Sequence, residues 1–240
     1  MADEQKQQPD YVGHRARLRE RFLMDDGASM PDYELLELLL TYAIPRRDVK
    51  PLAKKMMKTF GTLGRVLHAP TLELSEKCGA TDNVISLFHL FTTCNMRISS
   101  KSFADSGKSV YTVWQNFIEY CTNKIGYKEV EETWAFFLNA RMEVMHGMQM
   151  SAGTMHKSSV SIAKIIQEAV RHNAVNVVLV HNHPSGICAP SREDIALTRN
   201  IEEDLAIADL ILFDHIIVTS CEHFSFRAHG YIENAKQKQM

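Results

Sequence analysis

The spacing of apolar residues changes along the chain, and with it the type of element predicted. In the first hundred residues it is helical. His14 to Leu23 reads as a short basic helix, and Leu35, Leu36, Leu38, Leu39 and Leu40 leave the stretch Tyr33 to Ala43 almost no polar face. That stretch is expected to be the central helix of an N-terminal helical domain, capped by Asp32 and ended by Pro45. Asp48 caps the next helix, with Pro51 in its first turn and Gly61 as its stop. Shorter helices follow near 62–67 and 71–78, then a longer one from Val84 to about Arg97 behind Asp82.

Beyond a polar stretch at 101–109 the pattern becomes mixed. A helix from Val110 to about Asn123 ends before Gly126, and Thr133 to Leu138 reads as a strand. Asn139 to Met142 form a turn, with Glu143 to Met150 as the hairpin partner. Ile162, Ile165, Ile166 and Ala169 mark a helix over Ser161 to Arg171. Asn176 to Val180 is a short, β-branched, buried strand. Ser191 is placed to cap a helix whose inner face carries Ile195, the Thr198 methyl, Ile201 and Leu205. Ile211 to Phe213 and Ile216 to Val218 supply further strand material. This order describes an α/β domain with a mixed sheet flanked by helices, behind a small all-α domain. The boundaries expected are a lead-in over 1–12, a helical domain over 13–100, a linker over 101–109 and the α/β domain over 110–240.

Composition narrows this little. A formal net charge of −2 argues against a protein that coats nucleic acid along its whole surface, while leaving room for a local basic patch. Five cysteines with no Cys-x-x-Cys pair fit reduced thiols. The polar first residues lack a signal-peptide pattern, and no apolar run approaches the roughly 20 residues that span a bilayer. The expectation is a cytoplasmic protein without a membrane partner. Local basicity does occur: Arg46, Arg47, Lys50, Lys54, Lys55, Lys58 and Arg65 surround the single acid Asp48, and Lys50, Lys54 and Lys58 share a helical face that can meet DNA phosphates or simply solvent.

The chemistry concentrates after the strand at 176. His181 and His183 stand at its end, two residues apart, so both imidazoles can reach one point. Asp194 lies in the first turn of the following helix, where its carboxylate can face back toward them. Two imidazoles and a carboxylate, with the Ser191 hydroxyl nearby, suit a catalytic zinc that keeps its fourth position for water. Taken alone, Ser191 and Asp194 read equally as a capping box. Other motifs fail. Gly107-Lys108-Ser109 lacks the upstream glycine of a phosphate-binding loop, Ser102 standing there instead. Cys188-Ala189-Pro190-Ser191 lacks the Pro-Cys-x-x-Cys pair of zinc deaminases. His156, His215, His223 and His229 read as structural rather than as ligands.

The segments HNHPSG, PSREDI and DHIIV resemble the bacterial RadC branch of the JAMM (JAB, MPN) metallopeptidase superfamily. The resemblance continues through PDYELLELLLTYAIPRRDVKPLAKKMMKTFG and covers most of residues 13 to 232. It implies a JAMM-type α/β domain behind a helix-hairpin-helix-like one, zinc on His181, His183 and Asp194, and Ser191 helping to position or polarise the reacting group. It also implies a glutamate on an early strand as general base. Glu131 matches that spacing best, with Glu132 beside it and Glu168 as the alternative. The activity implied is hydrolysis of a peptide or isopeptide bond in a peptide or protein substrate. The competing implication is a DNA-repair accessory protein that binds DNA through the helical domain. Two departures stand out. Lys77-Cys78-Gly79-Ala80-Thr81-Asp82 occupies the place of a Gly-x-Gly hairpin, and Lys157-Ser158-Ser159 follow His156 where RadC sequences carry Pro-Arg-Glu.

Overall fold

In the computed structural model, which describes residues 13–104, 109–110, 113–153 and 160–232, the first part of the chain is helical. It runs α1 (His14–Asp25), α2 (Asp32–Ala43), α3 (Lys50–Phe60), α4 (Leu63–His68), α5 (Thr71–Glu73) continuing into a π turn at Leu74–Cys78, and α6 (Asp82–Ala104). The chain divides into two compact units at Thr92/Thr93, inside α6. In the first unit Leu36 and Leu40 of α2 pack with Ala53, Met56, Val66, Leu74, Val84 and Phe88 in one buried cluster. The leucine-dense segment is therefore central, as its pattern predicts.

Helix starts are shifted from those expected. Pro31, not Asp32, occupies the N-cap of α2, and its carbonyl accepts from the Glu34 and Leu35 amides. Asp32 sits one residue later, in the first turn, where its charge still meets the positive end of the helix. Asp48 does accept from the Lys50 amide at 3.0 Å, although α3 begins at Lys50 itself. α6 extends to Ala104, into the polar stretch 101–109.

The second unit contains α7 (Trp114–Cys121), a π turn (Thr122–Gly126), β1 (Glu132–Leu138), β2 (Val144–Ala152), α8 (Ile162–Arg171), β3 (Asn176–Asn182), α9 (Arg192–Ile207), β4 (Ile211–Val218) and β5 (His223–Ser225). α7 starts later than its pattern suggests because the Val110 amide is bound to the Met142 carbonyl of the hairpin turn, 2.7 Å away. The sheet order is β2-β1-β3-β4-β5, with β3 and β4 parallel and the other pairs antiparallel. The two apolar runs after residue 210 are one strand, because Asp214 and His215 between them are buried with their polar atoms bonded. β5 carries too few apolar residues to be read as a strand alone. It exists by pairing with β4.

Both faces of the sheet are covered. Ala135, Phe137, Val177, Leu179 and Ile217 pack with Ile165, Ala169, Ile201 and Leu205, which come from α8 and α9. Phe136, Leu138, Val178, Val180 and Ile216 pack on the other side with Phe117, Ile118, Cys121 and Ile125. Alternate residues of β3 thus enter two different cores, which is why its sequence is continuously apolar. Among the described residues no helix is long and apolar enough to cross a membrane.

Where the π turn meets the sheet, space is exhausted: a β-carbon on Gly126 would lie 2.8 Å from the Thr219 carbonyl oxygen. Backbone cannot yield as a side chain does. Gly126→Ala is expected to destabilise the protein by about 1–3 kcal/mol, measured by urea unfolding, whereas Gly79→Ala has open space but a positive φ of 75° and should cost only about 1 kcal/mol.

Candidate metal centre

β3 sets the position of the first histidine. His181 follows Leu179 on the α8/α9 side of the sheet and is fully buried, while His183 lies just past the strand and is partly buried. The His183 amide is held by the Val218 carbonyl at 3.2 Å, and Gly186, with φ 80°, turns the loop back. His183 Nδ1 lies 2.8 Å from the Ile187 carbonyl, which can only accept. Nδ1 therefore carries the proton, and Nε2 presents a lone pair.

Asp194 arrives from the opposite direction. Ser191 caps α9, accepting from the Asp194 amide at 3.0 Å, and Asp194 Oδ2 accepts from the Ser191 amide and hydroxyl at 2.8 and 2.6 Å. This is a complete capping box. The same carboxylate faces the histidines: Oδ1 is 3.5 Å from His181 Nε2, and Oδ2 is 3.4 Å from His183 Nε2. The cap and the metal reading are therefore not alternatives.

The two Nε2 atoms are 2.9 Å apart, and one ligand atom each from Glu131, His181, His183 and Asp194 lies within 4.8 Å of the others. Four donors bonded tetrahedrally at about 2.0–2.1 Å stand about 3.3 Å apart. The His181, His183 and Asp194 separations bracket that value, and the nitrogen and oxygen donor set suits zinc.

The electrostatics follow from burial and close contact. Burial, with His215 adding to it, holds His181 well below the ordinary histidine range. His183 is raised, chiefly because the Asp194 carboxylate facing its Nε2 favours the protonated ring, with burial opposing. Burial opposes ionisation of Asp194, but His183, His181 and Ser191 together outweigh it and hold the carboxyl below its usual range. Burial raises Glu131, and His183 partly offsets this.

Of the three glutamates considered as bases, only Glu131 is in this group. Glu132 begins β1 on the opposite side, bonded to Lys128 at 2.6 Å and to the Trp134 indole at 3.1 Å. Glu168, on α8, groups with His172 at the end of that helix and His146 of β2. That second set of donors is a poorer ligand set, because the two rings stack at 4.2 Å and 12°, so their in-plane lone pairs run parallel instead of converging. Cys188 does not join the centre; its thiol, pushed up to about 11 by burial, donates toward the Ile217 carbonyl. His229 stacks on Phe224 and bonds the Ser225 carbonyl. His156 and Lys157-Ser158-Ser159 lie outside the described residues. Lys50, Lys54 and Lys58 fall on α3 in the helical unit, the last two exposed.

Comparison with known proteins bears on this arrangement. Residues 111–231 match the RadC-like JAB domain, a span that includes all four donors. The chain belongs to the RadC family. Similarity to relatives extends well beyond that domain. A UPF0758 protein of Ruegeria pomeroyi is 36% identical over 225 residues, covering 93% of this chain and all of that one. Another from Fusobacterium nucleatum is 36% identical over 228 residues, covering 93% and 98%. A UPF0758 protein of Rhodobacter capsulatus is 34% identical over 215 residues, covering 90% and 100%.

In this RadC-like domain one residue was legible as part of the motif but not as a support. Asn182, between the two histidines, is buried; its Oδ1 accepts from the Glu132 amide at 2.7 Å and its Nδ2 donates to the Lys128 and Val130 carbonyls at 3.2 and 3.1 Å. It clamps the segment that carries Glu131 to the strand that carries His181. Strand alternation, which points it away from both histidines, is the signal that could have revealed this. Asn182→Leu keeps the branched outline but is bulkier and strands three backbone groups, so equilibrium unfolding should show a loss of about 2 kcal/mol or more.

Proposed function

We propose that this RadC-family chain is a zinc-dependent hydrolase acting on peptide or isopeptide bonds. The observation that carries the reading is the convergence of Glu131, His181, His183 and Asp194 on one small volume, the last three at the separations of a metal ligand set. His181, His183 and Asp194 would hold the ion, leaving Glu131 as the one carboxylate of the group not tied into a helix cap. Zinc held there supplies Lewis acidity and lowers the pKa of a water toward neutrality.

The chain's own residues do the rest. Glu131 takes a proton at a carboxylate oxygen as water attacks the carbonyl carbon, and returns it to the leaving nitrogen when the C–N bond breaks. The clamp through Asn182 fixes the backbone beside that carboxylate. Ser191 first of all orients Asp194, since its hydroxyl proton is donated to Oδ2. To stabilise an oxyanion it transfers that hydrogen bond from the carboxylate to the substrate oxygen as charge develops there.

A second reading, DNA contact through α3, has one supporting observation: Lys54 and Lys58 are exposed along the same helix as Lys50. Binding by this route requires affinity that falls steeply with salt and drops again when all three lysines become alanine.

The tests separate ligands from base. Purified protein should carry about one zinc per chain by elemental analysis, lost in His183→Ala and Asp194→Ala because two protein donors hold a catalytic ion poorly. Full retention in both variants overturns the ligand set. Glu131→Gln should keep zinc and lose roughly 10²- to 10⁴-fold in the cleavage rate of a peptide library, while Glu132→Gln and Glu168→Gln cleave normally. If zinc-loaded wild type cleaves no library member, the hydrolase reading fails on peptides.

A further inference from the structure

Behind the proposed ligands runs a buried chain of hydrogen bonds whose direction can be deduced. The Thr198 hydroxyl lies 2.6 Å from the Asp194 carbonyl oxygen. That oxygen has no proton, so the hydroxyl must donate to it. A hydroxyl has one proton, and Thr198 Oγ1 is also 2.7 Å from His215 Nδ1. With the hydroxyl proton committed, Nδ1–H of His215 is the donor there. In the neutral ring this leaves His215 Nε2 as an acceptor, and it sits 2.8 Å from His181 Nδ1. His181 Nδ1 therefore carries the proton, and its Nε2 is bare on the side of His183 and Asp194.

We propose that Thr198 and His215 are positioning residues that set the tautomer of His181, so that its Nε2 lone pair is presented to a metal ion. The inference rests on the metal-site reading above. Side chains of three elements meet in this chain. His181 is on β3, His215 on β4 and Thr198 on α9, and the carbonyl that ends it belongs to Asp194, whose carboxylate lies 3.5 Å from His181 Nε2. The path closes on itself. His215 cannot turn away, because its ring stacks on Phe226 at 4.6 Å and 15° and its backbone carbonyl accepts from the Phe226 amide. Its own amide is held by Asp214 Oδ1.

The arrangement leaves two bare Nε2 atoms 2.9 Å apart, since Ile187 fixes the proton of His183 on Nδ1 in the same way. Lone pairs that close repel unless a cation or a shared proton lies between them. A metal ligand's second ring nitrogen is usually bonded to a carboxylate or a backbone carbonyl. His183 follows that pattern. His181 uses a neutral imidazole, itself held in one tautomer by a threonine, so the orientation is fixed without adding negative charge.

Thr198→Val removes the acceptor of the His215 proton, which frees His215 to protonate Nε2 and drives His181 to carry its proton on the metal-facing nitrogen. Zinc affinity, measured by competition with a chromogenic chelator, should fall roughly 10- to 100-fold in Thr198→Val and in His215→Leu. Thr198→Ser restores the hydroxyl and should recover most of the loss. Metal-free wild type, examined by nitrogen-15 NMR with His181 assigned against His181→Gln, should show the Nδ1–H tautomer at His181, a signature that a purely structural Thr198 would not govern. Thr198→Val that folds and binds zinc as tightly as wild type overturns the proposal, as does an Nε2–H tautomer at His181 in metal-free wild type. If the variants fail to fold, the wild-type tautomer decides. Wild type that binds no zinc while showing the Nδ1–H form sinks the metal reading and leaves the relay standing.

Discussion

The candidate centre depends on one carboxylate satisfying two demands at once. Asp194 closes the first turn of α9 by accepting from the Ser191 amide and hydroxyl, and the same group stands within 3.5 Å of both histidines. A helix N-terminus carries unpaired amides and the positive end of the helix dipole, so a carboxylate placed there is stabilised before any ligand arrives. The cap therefore does for Asp194 what packing does for His181: it removes rotamer freedom that binding would otherwise have to remove. A ligand held by local helix chemistry also moves with the helix, which explains why the rest of the domain must hold α9 in register with β3.

That register comes from the parallel β3–β4 pair and the two cores on either side of it. α9 is the crossover between these strands, and Ile201 and Leu205 pack it onto the face that carries Leu179 and Ile217. His181, opposite Ile217, and His215, opposite Leu179, lie on that same face. Two buried polar side chains on an apolar face are costly unless bonded to one another or to a third group. Thr198 meets that need from the helix side. The burial that lowers His181 and pushes His215 down to about 4 also keeps both rings neutral at physiological pH, the state in which an imidazole can serve as a ligand.

Much of this was legible in the sequence, for reasons that differ by residue. His181, His183 and Asp194 were readable because strand alternation and a helix start are short-range rules that put all three within reach of one another. The hairpin, the α8 and α9 faces and the leucine-dense α2 were readable by period. The sequence offers the Thr198 methyl to the apolar face, whereas in the structure it is the buried hydroxyl that matters, bonded to the Asp194 carbonyl and to His215. His215 reads as structural in the sequence because nothing local links it to residue 181. The link is a parallel pairing across 34 residues, with Leu179 opposite His215. β5 was missed for the same reason, since a three-residue strand is made by its neighbour rather than by its own composition.

The choice of a histidine behind His181 has a consequence for the chemistry proposed. A carboxylate in that place would bring a second full negative charge close to the metal-facing group and make His181 a stronger donor, and the ion's own charge would be more fully neutralised. With a neutral imidazole there, the fixed negative charge near the histidines is that of Asp194, with Glu131 as the remaining carboxylate of the group. An ion in such a site retains more of its charge, and more of its pull on a water and on a substrate carbonyl, than one ringed by carboxylates. The burden of taking the proton would then fall on Glu131, whose carboxyl is raised by burial. In the proposed reaction His215 behind His181 and Glu131 as base would thus push the chemistry in one direction, toward an acidified water beside a base that accepts its proton.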